Sequence, residues 1–153
     1  MKKIALWIGI MLIASAAYWL ASPIFLDKEV QEAVVDIGEA ASAQDEQTIV
    51  AEGSFVDADV FHKGEGLVRL INAGGKNFIR FEDDFKVTNG PDLFVYFGKD
   101  GSYVKAARVG ALKGNIGSQN YEIPEGIDPD KYNEVWIWCR AFSVPFARAA
   151  LSK

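Results

Sequence analysis

The chain holds one cysteine, Cys139, and one histidine, His62, and its side-chain chemistry starts with these two. Cys139 stands in "EVWIWCRAF", residues 134–142, between Trp138 and Arg140. A thiol acts as a nucleophile or metal ligand through its thiolate, or fills a core as a small hydrophobe. If the stretch is a strand, Val135, Ile137 and Cys139 share one face while Trp136 and Trp138 take the other. Arg140 then projects away from the sulfur and is poorly placed to lower its pKa. Burial and redox use both stay open for the thiol. His62 closes the expected strand "DVFHKGEG". It reads as a surface or turn-capping imidazole, with a cofactor-binding role as a single axial ligand to haem as the alternative.

Counting removes most other sites. One His and one Cys cannot form a structural zinc site or the two-His, one-Cys set of blue copper. The chain lacks a C-x-x-C-H for covalent haem and a C-x-x-C for thioredoxin-type exchange. No G-x-S-x-G accompanies His62, and the Gly-rich stretches fit neither phosphate-loop pattern. The sequence therefore names no cofactor and no metal site, and a stand-alone enzyme of a familiar class is not expected. In "FEDDFKVTNGPDLF", residues 81–94, Glu82, Asp83, Asp84, Asn89 and Asp92 could offer oxygens to calcium. Their spacing fits no EF-hand, and a solvated turn is the better reading. A net charge of −5 with scattered Lys and Arg argues against nucleic acid.

The elements that must position these residues begin with "IALWIGIMLIASAAYWLASPIFL", residues 4–26, which carries no charge. A bilayer core of about 30 Å takes roughly 20 apolar helical residues, so this run is expected to span a membrane. Lys2 and Lys3 precede it and Asp27, Glu29 and Glu32 follow. That bias places residues 1–3 in the cytoplasm and the rest outside, periplasmic or extracellular, as a single-pass chain. A cleaved signal peptide ending at Ala14-Ser15-Ala16 competes, but the apolar run continues past that point. No cysteine stands near the N-terminus to carry a lipoprotein anchor.

Residues 27–52 read as a helical and polar linker. Val30, Val34, Val35 and Ile37 give a short helical stripe with Gly38 as its stop, followed by a spacer that holds the domain off the membrane. From Gly53 to Lys153, short β-branched and aromatic runs alternate with Gly, Asn, Asp and Pro clusters. This texture predicts an all-β domain, an antiparallel β-sandwich of jelly-roll type. "LVRLINAGGKNFIRFED" is expected to be a hairpin turning at Gly74-Gly75. "IDPDKY" could form one helical turn, and Pro145 demands an edge, a bulge or a strand end.

The run from "GSFVDADVFHKGEGLVRLI" through "NGPDLFVYF" and "LKGNIGSQNYEIP" to "VWIWCRAFSVPFARAAL" resembles the DM-thirteen domain, also called the electron transfer DM domain. That domain occurs beside haem-binding DOMON modules in larger animal proteins. The resemblance covers residues 53–151 and carries the family's histidine position onto His62 and its cysteine position onto Cys139. It implies a tethered or secreted β-sandwich whose cysteine serves electron transfer with a redox or envelope protein partner. The competing expectation is a cell-envelope binding or adhesion module in which Cys139 only fills the core. Its ligand surface would lie on the loops around Asn89–Asp92 and Gly114–Gln119.

Overall fold

A computed structural model describes residues 2–35 and 48–153 of the 153-residue chain. One helix, α1 (Lys2–Phe25), precedes ten strands. These are β1 (Thr48–Asp57), β2 (Gly64–Glu65), β3 (Leu67–Ala73), β4 (Lys76–Phe81), β5 (Lys86–Val87) and β6 (Leu93–Lys99), then β7 (Ser102–Ala111), β8 (Gln119–Glu122), β9 (Glu134–Cys139) and β10 (Val144–Ala150). The Gly, Asn and Asp clusters fall between strands as their turn chemistry requires. Gly74 and Gly75 both take positive φ and join β3 to β4, with Ala73 paired to Lys76. The helical turn expected in "IDPDKY" is a 3₁₀ turn, Pro129–Lys131, capped by the Asp128 carboxylate.

Eight strands form one antiparallel sheet in the order β7-β6-β9-β10-β1-β3-β4-β8, and β2 pairs with β5 as a small second sheet. The all-β, antiparallel expectation is met, but the architecture is a single sheet curled into a half-barrel instead of two stacked sheets. β1 makes the bend: residues 48–54 pair with β3 and residues 55–57 with β10. The curl brings the two end strands, β7 and β8, into contact. Inside it lies a core built on Phe81, Phe85, Phe97, Ile79, Ile137 and Val135, each fully buried.

β9 runs between β6 and β10, which explains its apolar character on both faces. Val135, Ile137 and Cys139 enter the core. On the other face Trp138 stacks on Tyr103 at 3.9 Å, and the Trp136 ring lies under the Arg148 guanidinium. Pro145 sits at a register shift between Pro145 and Ala147, so the missing N–H falls at a bulge.

The segment after α1 departs from expectation. Residues 27–35 are not helical, and from Asp27 to Ala33 they run extended along loop 113–120 as a strap. Val30 N–H donates to Ile116 O and Glu32 N–H to Ser118 O, at 2.9 and 3.0 Å. The Glu32 carboxylate accepts from Lys113 Nζ at 2.7 Å and from the Asn120 amide at 2.7 Å. Arg80, almost wholly buried, donates to the carbonyls of Glu32 and Ala33. These tertiary bonds outbid a stripe of β-branched valines, whose helix propensity is modest. Ile37 and Gly38, the end of the expected helix, lie outside the described residues. β1 also begins at Thr48, inside the stretch read as linker.

Two glycines let the strap approach. A Cβ on Gly114 would collide with Lys28 O, and one on Gly117 with Val30 O. Gly117 also holds φ at +91°.

α1 is 24 residues long, about 36 Å at 1.5 Å per residue. Its side chains are described at residues 4, 6–15 and 18. Among the described residues no helix is long and apolar enough to cross a membrane.

Gly117→Ala is expected to cost roughly 1–3 kcal/mol, since it combines a left-handed conformation with a backbone clash. A urea titration checks the loss, and faster hydrogen exchange at the Val30 and Glu32 amides would locate it in the strap. Glu32 responds to pH in a defined sense. Desolvation raises its pKa, but the hydrogen bonds from Lys113 and Asn120 and the charges of Lys113 and Arg80 outweigh that and leave it lowered from 4.5. The strap's contribution should be complete above that value and fade as pH falls through the lower folded-state pKa. Protection that instead fades on raising pH from 5 to 8 (about the range of greatest stability) would contradict this role.

Candidate functional site

Cys139 is the last residue of β9, paired with Leu93 of β6 and Val144 of β10. Its relative exposure is 0%. Among the described residues the thiol has no hydrogen-bond or ionic partner. Arg140, one residue on, is exposed and turned to other work. It pairs with Asp92 at 3.0 Å and lays its guanidinium 4.5 Å from the Phe94 ring centre. The environment is that of a core cysteine, which reacts only when uncovered. What distinguishes it is position: the turn 140–143 follows directly, with Ser143 at φ +55°.

His62 stands at the surface. Asp59 builds its turn, accepting from the Phe61 and His62 amides at 2.8 Å each through Oδ1. The other carboxylate oxygen lies 2.7 Å from His62 Nδ1. A carboxylate only accepts, so Nδ1 carries the proton and Nε2 is left for an outside group. The His62 hydrogen bond, then the His62 and Phe61 amides, hold the Asp59 carboxyl down at about 2 against desolvation. The imidazole also rests on Phe146, with ring centres 4.2 Å apart.

The two residues singled out by their chemistry are therefore not brought into one site. Phe146 belongs to the same core cluster as Cys139, so the histidine touches the wall of the thiol's core without reaching the sulfur. Among the described residues no three His, Cys, Asp or Glu side chains gather as a metal site. The acidic stretch is spent on structure. Glu82 pairs with Arg69 and Arg80, Asp84 accepts from the Leu67 amide, and Asn89 Nδ2 donates to Leu26 O.

The strap covers most of loop 114–119, while Gly114 and Asn115 also line a groove. Asn115, Ser118 and Gln119 are buried. Gln119 accepts from the Gly114 amide and the Tyr121 hydroxyl and donates to the carbonyls of Gly114 and Gly117. The loop at Asn89–Asp92 does border a groove of about 430 Å³, whose other wall is Leu26–Lys28 with Leu112. Leu93 lines this groove and is the cross-strand neighbour of Cys139. Sequence reasoning does not find residues 26–28 as site-forming. The glycine spacing in "KGNIGS" is the signal for them, since it marks a place where another backbone comes close.

Replacing Cys139 by Ser should cost about 1–3 kcal/mol, because the hydroxyl is buried without a partner. Denaturant unfolding reads this directly, and a neutral substitution would mean that water reaches the site. The Asp59 turn carries its own pH signature. Its contribution is complete above the ordinary carboxyl value of 3.8 and is lost as pH falls through about 2. Hydrogen exchange at the Phe61 and His62 amides should rise in that acid window, and Asp59→Asn should remove the dependence.

Residues 54–151 match the family described as electron transfer DM13. No curated protein and no solved structure matches the chain. The family span starts within β1, takes in His62, the strap-receiving loop and Cys139, and ends one residue past β10. It leaves α1 and the strap outside. With well over half of its residues inside that match, the chain belongs to the electron transfer DM13 family, a family of redox modules.

Proposed function

We propose that the protein is a membrane-anchored redox component in which α1 holds the β-domain on the extracytoplasmic side and Cys139 exchanges electrons with a partner protein. The observation that carries this reading is the place of Cys139 in the electron transfer family's span, at the end of β9 next to the turn 140–143. A sulfur in mid-strand could be reached only by unfolding the sheet. A sulfur at the strand's last position is uncovered when the hairpin tip frays, a local opening that costs less than global unfolding. The thiolate then attacks one sulfur of a partner's disulfide. A mixed disulfide forms, the partner's S–S bond breaks, and its second sulfur leaves as thiolate. His62 stays outside this step, with Nε2 available to a cofactor supplied from elsewhere.

The anchor rests on sequence and length together. The run 4–26 is uncharged and the helix is 24 residues long. Ile4, Leu6, Trp7, Ile8, Met11, Leu12 and Ile13 are all exposed, as suits a helix surrounded by lipid instead of protein.

A second reading is supported by the complete burial of Cys139. In it the thiol is a space-filling hydrophobe, and the module binds an envelope partner at the groove beside Asn89–Asp92.

One experiment separates the two. The full chain in membranes is mixed with an aromatic disulfide reagent and release of the coloured thiolate is followed. Redox use predicts release at a rate set by local opening, unchanged by low urea and absent in Cys139→Ala. Release only at the rate of global unfolding sinks the redox reading and favours the binding module. Resistance of the chain to alkaline carbonate extraction tests the anchor separately.

A further inference from the structure

We infer that the end of the β-domain beside α1 is a bilayer-seating surface, with Val60, Phe61 and Phe142 entering the same lipid that surrounds α1. This rests on the reading of α1 as a membrane anchor. The three side chains are among the most exposed large hydrophobics of the β-domain, at 75%, 80% and 65%. Phe61 and Phe142 take part in no ring contact among the described residues, although most of the domain's aromatic rings are paired. Large apolar side chains held out of the core, grouped at one end of a domain, mark a surface that something apolar covers.

Their placement names the cover. Asn89 Nδ2 donates to the carbonyl of Leu26, the first residue after α1. Asn89 follows Thr88, whose hydroxyl accepts from the Lys63 amide and donates to Phe61 O at 3.4 Å. Asp92, three residues beyond Asn89, holds Arg140 at the base of the turn that carries Phe142. All three loops are thus tied, within a few residues, to the point where the helix ends. If lipid surrounds the helix, its interface passes beside them.

The turn bearing Val60 and Phe61 is also built to hold them outward. The Asp59 carboxylate fastens the Phe61 and His62 amides, and the Ala58 amide donates back to His62 O at 3.0 Å. The opposite end of the domain is chemically different. β9 starts there at Glu134, five residues or about 17 Å from Cys139. Around its start lie Asp128, Asp130, Lys131 and Lys153, a charged and exposed cluster. The pole beside α1 sets its exposed apolar side chains among paired charges, Asp57 with Lys63 and Asp92 with Arg140, whereas the other pole, among the described residues, exposes charge without large apolar side chains. Val60, Phe61 and Phe142 would sit in the headgroup and acyl boundary, about 5–10 Å deep.

The test uses the full chain carrying Cys139→Ala, reconstituted in phosphatidylcholine vesicles that contain brominated acyl chains. A fluorophore is placed on a new cysteine at Phe61→Cys, at Phe142→Cys or, as the control, at Lys131→Cys. The expected result is severalfold stronger quenching by the brominated lipid at 61 and 142 than at 131. Equal, weak quenching at all three sites in a chain that resists carbonate extraction would overturn the seating surface and leave the anchor intact. Extraction of the chain by carbonate would overturn both. Shielding of position 61 from aqueous iodide without quenching by lipid would also overturn it, by showing that a protein or a second copy covers this end.

Discussion

A curled sheet that does not close leaves a seam, and this domain is organised around covering it. β7 and β8, the ends of the eight-stranded sheet, meet without a ladder between them. Unpaired strand edges invite pairing with other chains, and buried ones must find hydrogen bonds. Loop 113–118, which joins β7 to β8, folds along this gap, and Gln119 bonds to it on both amide atoms. The Tyr121 hydroxyl accepts from the Lys113 amide across the gap at 2.9 Å, and burial pushes its own ionisation far up. Over the loop lies the strap, fixed by Glu32. Each layer satisfies the backbone beneath it, and no buried side-chain nitrogen or oxygen among the described residues is left without a partner.

Covering the seam decides which part of the molecule remains open to chemistry. With most of loop 113–120 covered, a groove remains between loop 89–93, Leu26–Lys28 and the first residues of the covered loop, Lys113–Asn115. Loop 89–93 is joined to the end of β9 by the Arg140–Asp92 pair and by the bond from the Arg140 amide to Asp92 O. The same clasp ties the turn that follows Cys139 to loop 89–93. An exposed ion pair contributes modestly, on the order of 1 kcal/mol or less, so it closes the tip without locking it.

Much of the domain is legible in the sequence. The β texture, the Gly74-Gly75 hairpin, the bulge at Pro145 and the two-faced character of β9 follow from local rules of period, turn chemistry and a missing N–H. The family's motifs point to the span that the family match covers. What stays hidden depends on contacts distant in sequence. Whether a β texture stacks as two sheets or curls as one is set by the bend at β1, which no local pattern records. Val30, Val34 and Val35 suggest a helix until Arg80, Lys113 and Asn120 compete for the same backbone and for Glu32. His62 and Cys139 stand out by rarity, and rarity carries no information about distance. The glycines of "KGNIGS" have the look of a plain loop and are a docking strip.

The strap also leaves little chain between α1 and the β-domain. A polar spacer between a membrane helix and a domain lets the domain swing and sets only its reach. Here α1 ends at Phe25, the Asn89 side chain already holds Leu26, and the Lys28 amide donates to Asn115 Oδ1 at 2.7 Å. The domain begins where the helix stops. The bonds at Leu26 and Lys28 tie the chain to the domain directly after the helix. The chain is bound to the domain at Ala33 and again at Thr48. The segment that covers the seam is also the one that leads on from α1, and Glu32 fixes it to Lys113 and Asn120.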